Sequence, residues 1–363
     1  MTEWLDKLWG GTTVYEEPIC FSQAASSEYT GGSLLFNPTR ILRVTSPDGT
    51  KEYEPVKDYE WRGNQLIRTA DSSIPFLSRS IYCLPYIGEF DTSWLRFTDQ
   101  GIYCRIFPEI IDYQVLVTYE HNDSWSGSIP ENQMSFLPLT LKKLTENEPL
   151  RLVFYGDSIT AGWEASGYDE TVIDMGTLKE MHIKYHKAPY MPTWAELVTA
   201  ALKTHYHHNE IIKINRAAGG STSAWGREHA RELVNSKQPD FVILAFGMNN
   251  MQQEPEEFKE DILAIIATIR LANPNCEFLL VSPMVPNPEI HGFRKNKLPD
   301  QEQALYQIQA SHTGIAVAPI HSIFLELLQR GKHYLELSGN CINHPNDFSI
   351  RIYAQAILSC LGI

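Results

Sequence analysis

Four short segments of the chain carry residue types that are suited to acyl transfer. They are residues 156–160 (GDSIT), 215–221 (NRAAGGS), 247–250 (GMNN) and 343–347 (NHPND). Each of the first three follows a predicted strand, and the fourth precedes the last predicted helix. Because the carboxyl ends of parallel strands meet at one edge of a sheet, we expect the four segments to lie together there.

The side chains within these segments suggest a serine nucleophile. Ser158 lies in a tight strand-to-helix turn that can present its hydroxyl, and His344 from a distant loop can take the proton. Gly220 allows a backbone N–H to approach a ligand closely, and Asn249 can donate from its side-chain amide. The N–H groups of Ser158 and Gly220, with the Asn249 amide, would form an oxyanion hole.

Elements that could position these residues are predicted from residue 150 onward, where strands alternate with helices. The predicted strands cover residues 150–155, 211–214, 241–246, 278–281 and 315–320. The predicted helices cover residues 194–203, 225–234, 255–271, 299–309, 323–329 and 349–360. Five strands in this alternation indicate a parallel sheet with helices on both faces, a flavodoxin-like three-layer α/β/α domain.

The N-terminal third has the pattern of an all-β region. Short alternating or apolar runs are separated by turn residues, as at residues 46–49 (SPDG), which is typical of a β-sandwich of the jelly-roll kind. We therefore predict an N-terminal sandwich over residues 1–123, a connector over 124–149 and the α/β domain over 150–363. The frequent aromatic residues of the first region favour core packing over a sugar-stacking face; they are Trp61, Phe76, Tyr82, Tyr86, Phe90, Trp94 and Phe97.

Composition restricts the partners and the compartment. The 363 residues carry a net charge of −14, which disfavours nucleic acids and anionic membrane surfaces. The sequence shows neither an apolar run of about 20 residues nor a signal peptide. The six cysteines form no CxxC motif and are expected to be free thiols. These features predict a cytoplasmic protein without nucleic-acid or membrane partners, and they leave the oligomeric state open.

With Ser158, Gly220, Asn249 and His344 in this order, residues 150–363 resemble an SGNH hydrolase of the GDSL lipase/esterase superfamily. The resemblance implies a serine esterase that needs no cofactor and no metal. With the β-rich region in front, the architecture is similar to that of two-domain carbohydrate acetyl esterases. That second resemblance implies a short acyl group, above all acetyl, on a small-molecule or oligosaccharide ester. A lysophospholipase, thioesterase or arylesterase, and a carbohydrate-binding protein with a decayed hydrolase domain, remain as alternatives.

The sequence departs from the family pattern at the acid of the triad. The family has Asp three residues before the catalytic His, whereas this chain has Cys341, and no carboxylate occurs at positions 337–346. The resemblance then implies a Ser–His dyad. Because something must hold the imidazole of His344 in its tautomer, we expect a backbone carbonyl near Cys341, or the amide of Asn340 or Asn343, to do so. Cys341 itself is expected to be a small packing residue.

Other polar residues near the motifs are interpreted as structural support. Asp157 is expected to brace its loop by hydrogen bonds, Asn250 stands where the family has Asp, and Asn343 is a further candidate for support. His182 and His186 are four residues apart, but no HExxH motif or third ligand accompanies them, so a metal site is not predicted.

A segment of 33 residues, 161–193, separates the serine motif from the next predicted helix. Its apolar and aromatic residues, such as Trp163 and Met175, fit either a wall of the substrate pocket or a contact between subunits.

Overall fold

A computed structural model describes residues 5–23, 28–29, 31–84, 95–97 and 103–363 of the chain. Three of the aromatic residues singled out above, Tyr86, Phe90 and Trp94, lie outside the described residues.

The N-terminal region is built mostly of antiparallel strands, as predicted. Its strands are β1 (Thr13–Cys20), β2 (Ser22–Gln23), β3 (Glu28–Tyr29), β4 (Gly31–Ser33), β5 (Pro38–Thr45), β6 (Tyr59–Arg62), β7 (Gln65–Arg68), β8 (Cys83–Leu84), β9 (Leu95–Phe97), β10 (Tyr103–Arg105) and β11 (Gln114–His121). They pair in the orders β1-β11-β5, β4-β7-β6, β8-β10-β9 and β2-β3. A short helix α1 (Arg79–Tyr82) precedes β8, and a 3₁₀ helix (Pro108–Tyr113) precedes β11.

The segment that joins the two regions has little regular structure. It contains a 3₁₀ turn (Met134–Phe136) and helix α2 (Pro138–Thr145), which has Pro at its first position. Proline suits the first turn of a helix because its missing N–H would have no intrahelical acceptor there.

The C-terminal region contains the predicted five-stranded parallel sheet with helices on both faces. Its strands are β12 (Leu150–Gly156), β13 (Asp169–Ile173), β14 (Glu180–Lys184), β15 (Ile211–Asn215), β16 (Phe241–Ala245), β17 (Glu277–Val281) and β18 (Ile315–Ala318). Its helices are α3 (Ser158–Ala161), α4 (Trp194–His205), α5 (Ser223–Leu233), α6 (Pro255–Ala272), α7 (Leu298–Ser311), α8 (Ile320–Gln329) and α9 (Asp347–Cys360). The sheet order β15-β12-β16-β17-β18 is that of the flavodoxin-like fold, whereas β13 and β14 form a separate antiparallel hairpin.

Strand β12 shows why the sheet is covered on both faces. Leu152 and Phe154 belong to one buried core cluster, while Val153 and Tyr155 belong to another. Successive side chains of a strand point to opposite faces, so a run that is apolar at every position must be buried on both sides. Residues 152–155 of the strand are therefore apolar without interruption and do not alternate with polar residues.

The N-terminal strands share a core with the α/β region. Ile19, Val115 and Val117 lie in the same buried cluster as Leu152 and Phe154. The domain limits predicted from the sequence, 1–123, 124–149 and 150–363, therefore remain a prediction. None of the helices within the described ranges is both long enough and apolar enough to cross a membrane.

A fully buried ion cluster also joins the two regions. The Lys332 ammonium lies 2.9 Å from a carboxylate oxygen of Glu17 on β1 and 3.1 Å from one of Glu336. Glu336 also accepts a hydrogen bond from the Cys20 backbone N–H at 3.2 Å. Removing one partner of such a cluster would leave an uncompensated buried charge. The cluster therefore fixes β1 against the segment that leads to His344.

Candidate active site

The candidate nucleophile lies where β12 ends and α3 begins. Ser158 is the first residue of α3, and Asp157 caps this helix by accepting a 3.0 Å hydrogen bond from the Ile159 N–H. A Cβ on Gly156 would collide with the backbone of Ala245 on β16, so only glycine permits this close strand approach. Burial raises the pKa of the Asp157 carboxyl to about 6, although the N–H groups that it accepts oppose that shift.

The candidate base reaches Ser158 from the loop before α9. The Nε2 of His344 lies 2.9 Å from the Ser158 Oγ, and both residues are buried. The loop is held by the side-chain oxygen of Asn340, which accepts from the N–H groups of Ile342, Asn343 and His344 at 2.9 to 3.1 Å. These bonds hold the backbone of the loop. The imidazole side chain takes no part in them and can exchange a proton with the serine hydroxyl.

A carboxylate faces the other nitrogen of the imidazole. The Glu164 Oε1 lies 3.4 Å from the His344 Nδ1. Glu164 follows α3 within the 161–193 segment, and its backbone N–H donates to the Tyr185 hydroxyl at 3.1 Å. A Cβ on Gly339 would lie 2.7 Å from the Glu164 Cβ, so the glycine makes room for this side chain. The serine, imidazole and carboxylate are thus in the order of a catalytic triad.

This geometry corrects the expected support of the imidazole. The Cys341 carbonyl accepts from the Asn287 side-chain amide at 2.7 Å, and the side-chain oxygen of Asn340 holds backbone N–H groups. Asn343 bonds with Asn340 as well, at 3.4 Å between their side chains. The groups expected to support the imidazole are thus engaged elsewhere, and Glu164 is the carboxylate that faces its Nδ1.

The candidate oxyanion donors lie at the ends of three neighbouring strands. Gly220 has φ +81°, a left-handed conformation that glycine adopts without strain. Within the described ranges, neither the Ser158 N–H nor the Gly220 N–H has a protein acceptor. The Asn249 amide donates to the Ser221 carbonyl at 2.9 Å, and among the described residues its second N–H has no acceptor. The Ser221 hydroxyl in turn donates to the carbonyl of residue 156 at 3.2 Å, which ties these strand ends together.

Asn250 occupies a buried structural position beside this edge. Its side-chain oxygen accepts from the Ser223 N–H at 3.0 Å, and its amide donates to the Ser223 hydroxyl at 2.9 Å. These bonds join the end of β16 to the start of α5. Buried amides are satisfied in this way in most proteins, so Asn250 holds the loop that presents Asn249.

The 161–193 segment folds over the site. Trp163 packs edge-on against His344, with ring centroids 5.8 Å apart. The β13–β14 hairpin places the Met175 Sδ 3.9 Å from the position that a Cβ on Gly220 would take. A segment that contacts both the base and an oxyanion donor favours the pocket-wall interpretation over a subunit contact.

The histidines of this segment do not form a metal site. His182 lies on β14 and its Nε2 is 3.2 Å from the Asp169 carboxylate, while the His186 Nε2 is 3.8 Å from the same carboxylate. No cluster of three His, Cys, Asp or Glu side chains suited to a metal ion occurs in the part of the chain that the structure describes.

The N-terminal region contributes to the loop that carries His344. The Gln114 side-chain amide on β11 donates to the carbonyls of Leu335 and Ser338 at 2.7 and 3.0 Å. Its side-chain oxygen accepts from the Asn346 amide at 2.9 Å. Sequence reasoning gave no sign of this contact, because nothing in a β-strand pattern indicates which distant loop a glutamine will bind.

A serine hydroxyl, an imidazole and a carboxylate lie in line at the carboxyl edge of a parallel sheet, in the order of the catalytic residues of a serine hydrolase. The profile of the GDSL-like lipase/acylhydrolase family matches residues 154–348, which is more than half of the chain. The protein belongs to this family and is a carboxylic ester hydrolase.

Solved structures with a similar fold include three esterases or hydrolases. An α/β hydrolase from the metagenome of Lake Arreo is 21% identical with a TM-score of 0.45, over 59% of this chain and 95% of that one. A two-domain esterase active on acetylated mannans is 22% identical with a TM-score of 0.47, over 62% of this chain and 54% of that one. An acetylxylan esterase from Geobacillus stearothermophilus is 20% identical with a TM-score of 0.45, over 59% and 94%. No curated protein is significantly similar to this chain.

Proposed function

We propose that the protein hydrolyses short-chain O-acyl esters, above all O-acetyl esters on carbohydrates, through an acyl-enzyme on Ser158. The 2.9 Å contact between the Ser158 Oγ and the His344 Nε2 carries this proposal. The imidazole takes the hydroxyl proton while Oγ attacks the ester carbonyl carbon. The negative charge that develops on the carbonyl oxygen is met by the Ser158 and Gly220 N–H groups and the Asn249 amide.

The same imidazole completes the reaction. The His344 Nε2 returns its proton to the oxygen of the leaving alcohol as the C–O bond breaks. Water then loses a proton to His344 and attacks the acyl carbon, and the collapse of that intermediate frees the acid and restores the Ser158 hydroxyl. Glu164 stabilises the imidazolium in both halves of the reaction, because its carboxylate lies 3.4 Å from the other ring nitrogen.

The side chains around the turn of the β13–β14 hairpin bear on the length of the acyl group. Met175 lies close to Gly220, and Trp163 packs on both Gly219 and His344. The space between the oxyanion donors and this wall is where the acyl chain of a bound ester must lie. Side chains this close to the oxyanion donors favour a short acyl chain over a long one.

The test is a chain-length series of 4-nitrophenyl esters from acetate to palmitate, together with release of acetate from acetylated oligosaccharides. We expect the acetate ester and the oligosaccharides to be hydrolysed, and the long-chain esters to be poor substrates. Activity on long chains alone would favour a lysophospholipase or thioesterase instead. If wild type and Ser158→Ala are equally inert on every ester, the protein is a binding protein with a decayed site.

A further inference from the structure

A groove of about 260 Å³ opens beside Glu164. It lies between the 3₁₀ helix Pro108–Tyr113 of the N-terminal region and the 161–193 segment, and we call it the junction groove. The charged and aromatic side chains that line it are Glu109, Asp112, Glu164, Tyr185, Lys187 and Asp347. Glu164 thus belongs both to this groove and to the contact with His344.

The groove lies on the side of the site where the alcohol part of a bound ester is expected. The acyl oxygen must face Gly220, whereas the leaving oxygen must lie within reach of the His344 Nε2 to receive its proton. The alcohol group therefore extends away from Gly220, on the side of His344. Glu164 faces the Nδ1 of that imidazole, across the ring from Nε2, and lines the groove, which therefore begins beside the ring. We propose that the junction groove binds the alcohol part of the ester and selects an uncharged sugar over an anionic one; this inference rests on the function proposed above.

An aromatic ring provides a surface for a sugar ring. The Tyr185 side chain is 42% exposed, and its other face is stacked on the buried Tyr168 with ring centroids 5.0 Å apart and an interplanar angle of 6°. The stack fixes the orientation of the exposed ring before a ligand arrives. A fixed aromatic face suits the apolar C–H face of a pyranose, because contact area is gained at little cost in conformational entropy.

The charges in the groove give the proposed selectivity. Lys187 carries the one ammonium group among the residues named above. This group lies 2.5 Å from the Asp112 carboxylate, which compensates its charge. The carboxylates of Glu109 and Glu164 remain, so the groove carries an excess of negative charge. Such a field disfavours a sugar phosphate or a uronate, while sugar hydroxyls can donate hydrogen bonds to the same carboxylates.

The test compares two substrates that differ at C6, a neutral hydroxymethyl group in a monoacetylated methyl glucopyranoside and a carboxylate in the corresponding glucuronide. We expect wild type to prefer the neutral substrate by about tenfold in kcat/KM at low salt, and less at high salt because of screening. Glu109→Lys reverses an exposed charge in the groove. It should reduce the ratio of kcat/KM for the neutral substrate to kcat/KM for the anionic one by about fivefold. Asp112→Asn frees the ammonium of Lys187, and should shift the preference in the same direction.

The matched control is Glu260→Lys, which makes the same charge change on an exposed position of α6, outside the groove. It should leave the preference unchanged and hydrolyse 4-nitrophenyl acetate within about twofold of wild type. If 4-nitrophenyl acetate is hydrolysed but neither groove variant shifts the preference, the groove proposal is overturned and the proposed function stands. If wild type hydrolyses neither 4-nitrophenyl acetate nor either sugar ester, the proposed function and the groove proposal both fail.

Discussion

Replacing Glu164 by Gln tests the acid that the structure places behind the imidazole. The change keeps the size of the side chain and removes its charge. At an effective dielectric constant of about 20, an imidazolium and a carboxylate 3.4 Å apart attract each other by about 5 kcal/mol. The Glu164 side chain is 21% exposed, so screening by solvent reduces this roughly by half, to about 2.5 kcal/mol.

An attraction of that size corresponds to a decrease in kcat of about 10²-fold, since each factor of ten in rate is about 1.4 kcal/mol. The loss is smaller than the ~10⁴ seen when a fully buried triad acid is disrupted. KM should change by less than about twofold, because Glu164 stabilises charge that develops only during the reaction.

The assay is hydrolysis of 4-nitrophenyl acetate at neutral pH, with folding checked by circular dichroism. Glu109→Gln is the matched control, because it removes another carboxylate of the same groove that does not face His344. If Glu164→Gln keeps kcat within about threefold of wild type, the carboxylate has no part in the reaction. The Ser–His dyad would then be the better description.

Asn249→Ala removes one side-chain donor of the oxyanion hole and should lower kcat by ~10²–10³ with little change in KM, measured on 4-nitrophenyl acetate; a wild-type kcat would remove the residue from the site. Cys341→Ala should lower kcat by less than about tenfold, since its thiol is buried away from the imidazole; a loss equal to that of His344→Ala in a folded protein would contradict this. Gln114→Ala removes three hydrogen bonds to the loop that carries His344 and should lower kcat by about tenfold or more; an unchanged kcat beside a lowered Tm would limit Gln114 to a structural role. Hydrogen bonds from backbone and side-chain donors hold the pKa of Asp58 down at about 2 against the opposing effect of burial, so the stability it contributes is present at neutral pH and is lost as pH falls from about 4 towards 2. Asp58→Asn should therefore lower Tm at pH 7 and lose its effect below pH 2; an effect on Tm that is equal at both pH values would refute the assignment.

The sequence was sufficient for the parallel sheet and for the edge where the site lies. Strands such as β16 are apolar at every position, and buried strands of this kind need helices on both faces. Ser158 and His344 could be paired because each belongs to a local motif. Such a motif can be recognised from neighbouring residues alone, without knowledge of distant contacts.

Glu164 could not be assigned from the sequence because its role depends on distance in space. It lies 180 positions before His344, and nothing in the local pattern distinguishes it from a solvent-exposed glutamate. One indirect signal was present: with no acid at positions 337–346, a carboxylate from elsewhere in the chain was needed, and Glu164 is the first acidic residue after Ser158. The contact between Gln114 and the His344 loop was hidden for the same reason, since it joins residues more than 200 positions apart.

The central claim is that an acyl group is transferred to Ser158, and rapid acid quenching of the reaction with 4-nitrophenyl acetate tests it most directly. Intact-mass spectrometry should show one added acetyl group, and peptide mapping should place it on the peptide that contains Ser158. Ser158→Ala should show no added mass and no turnover, and His344→Ala should be acetylated far more slowly. Acetylation of another residue in wild type, or full turnover by Ser158→Ala, would contradict the account.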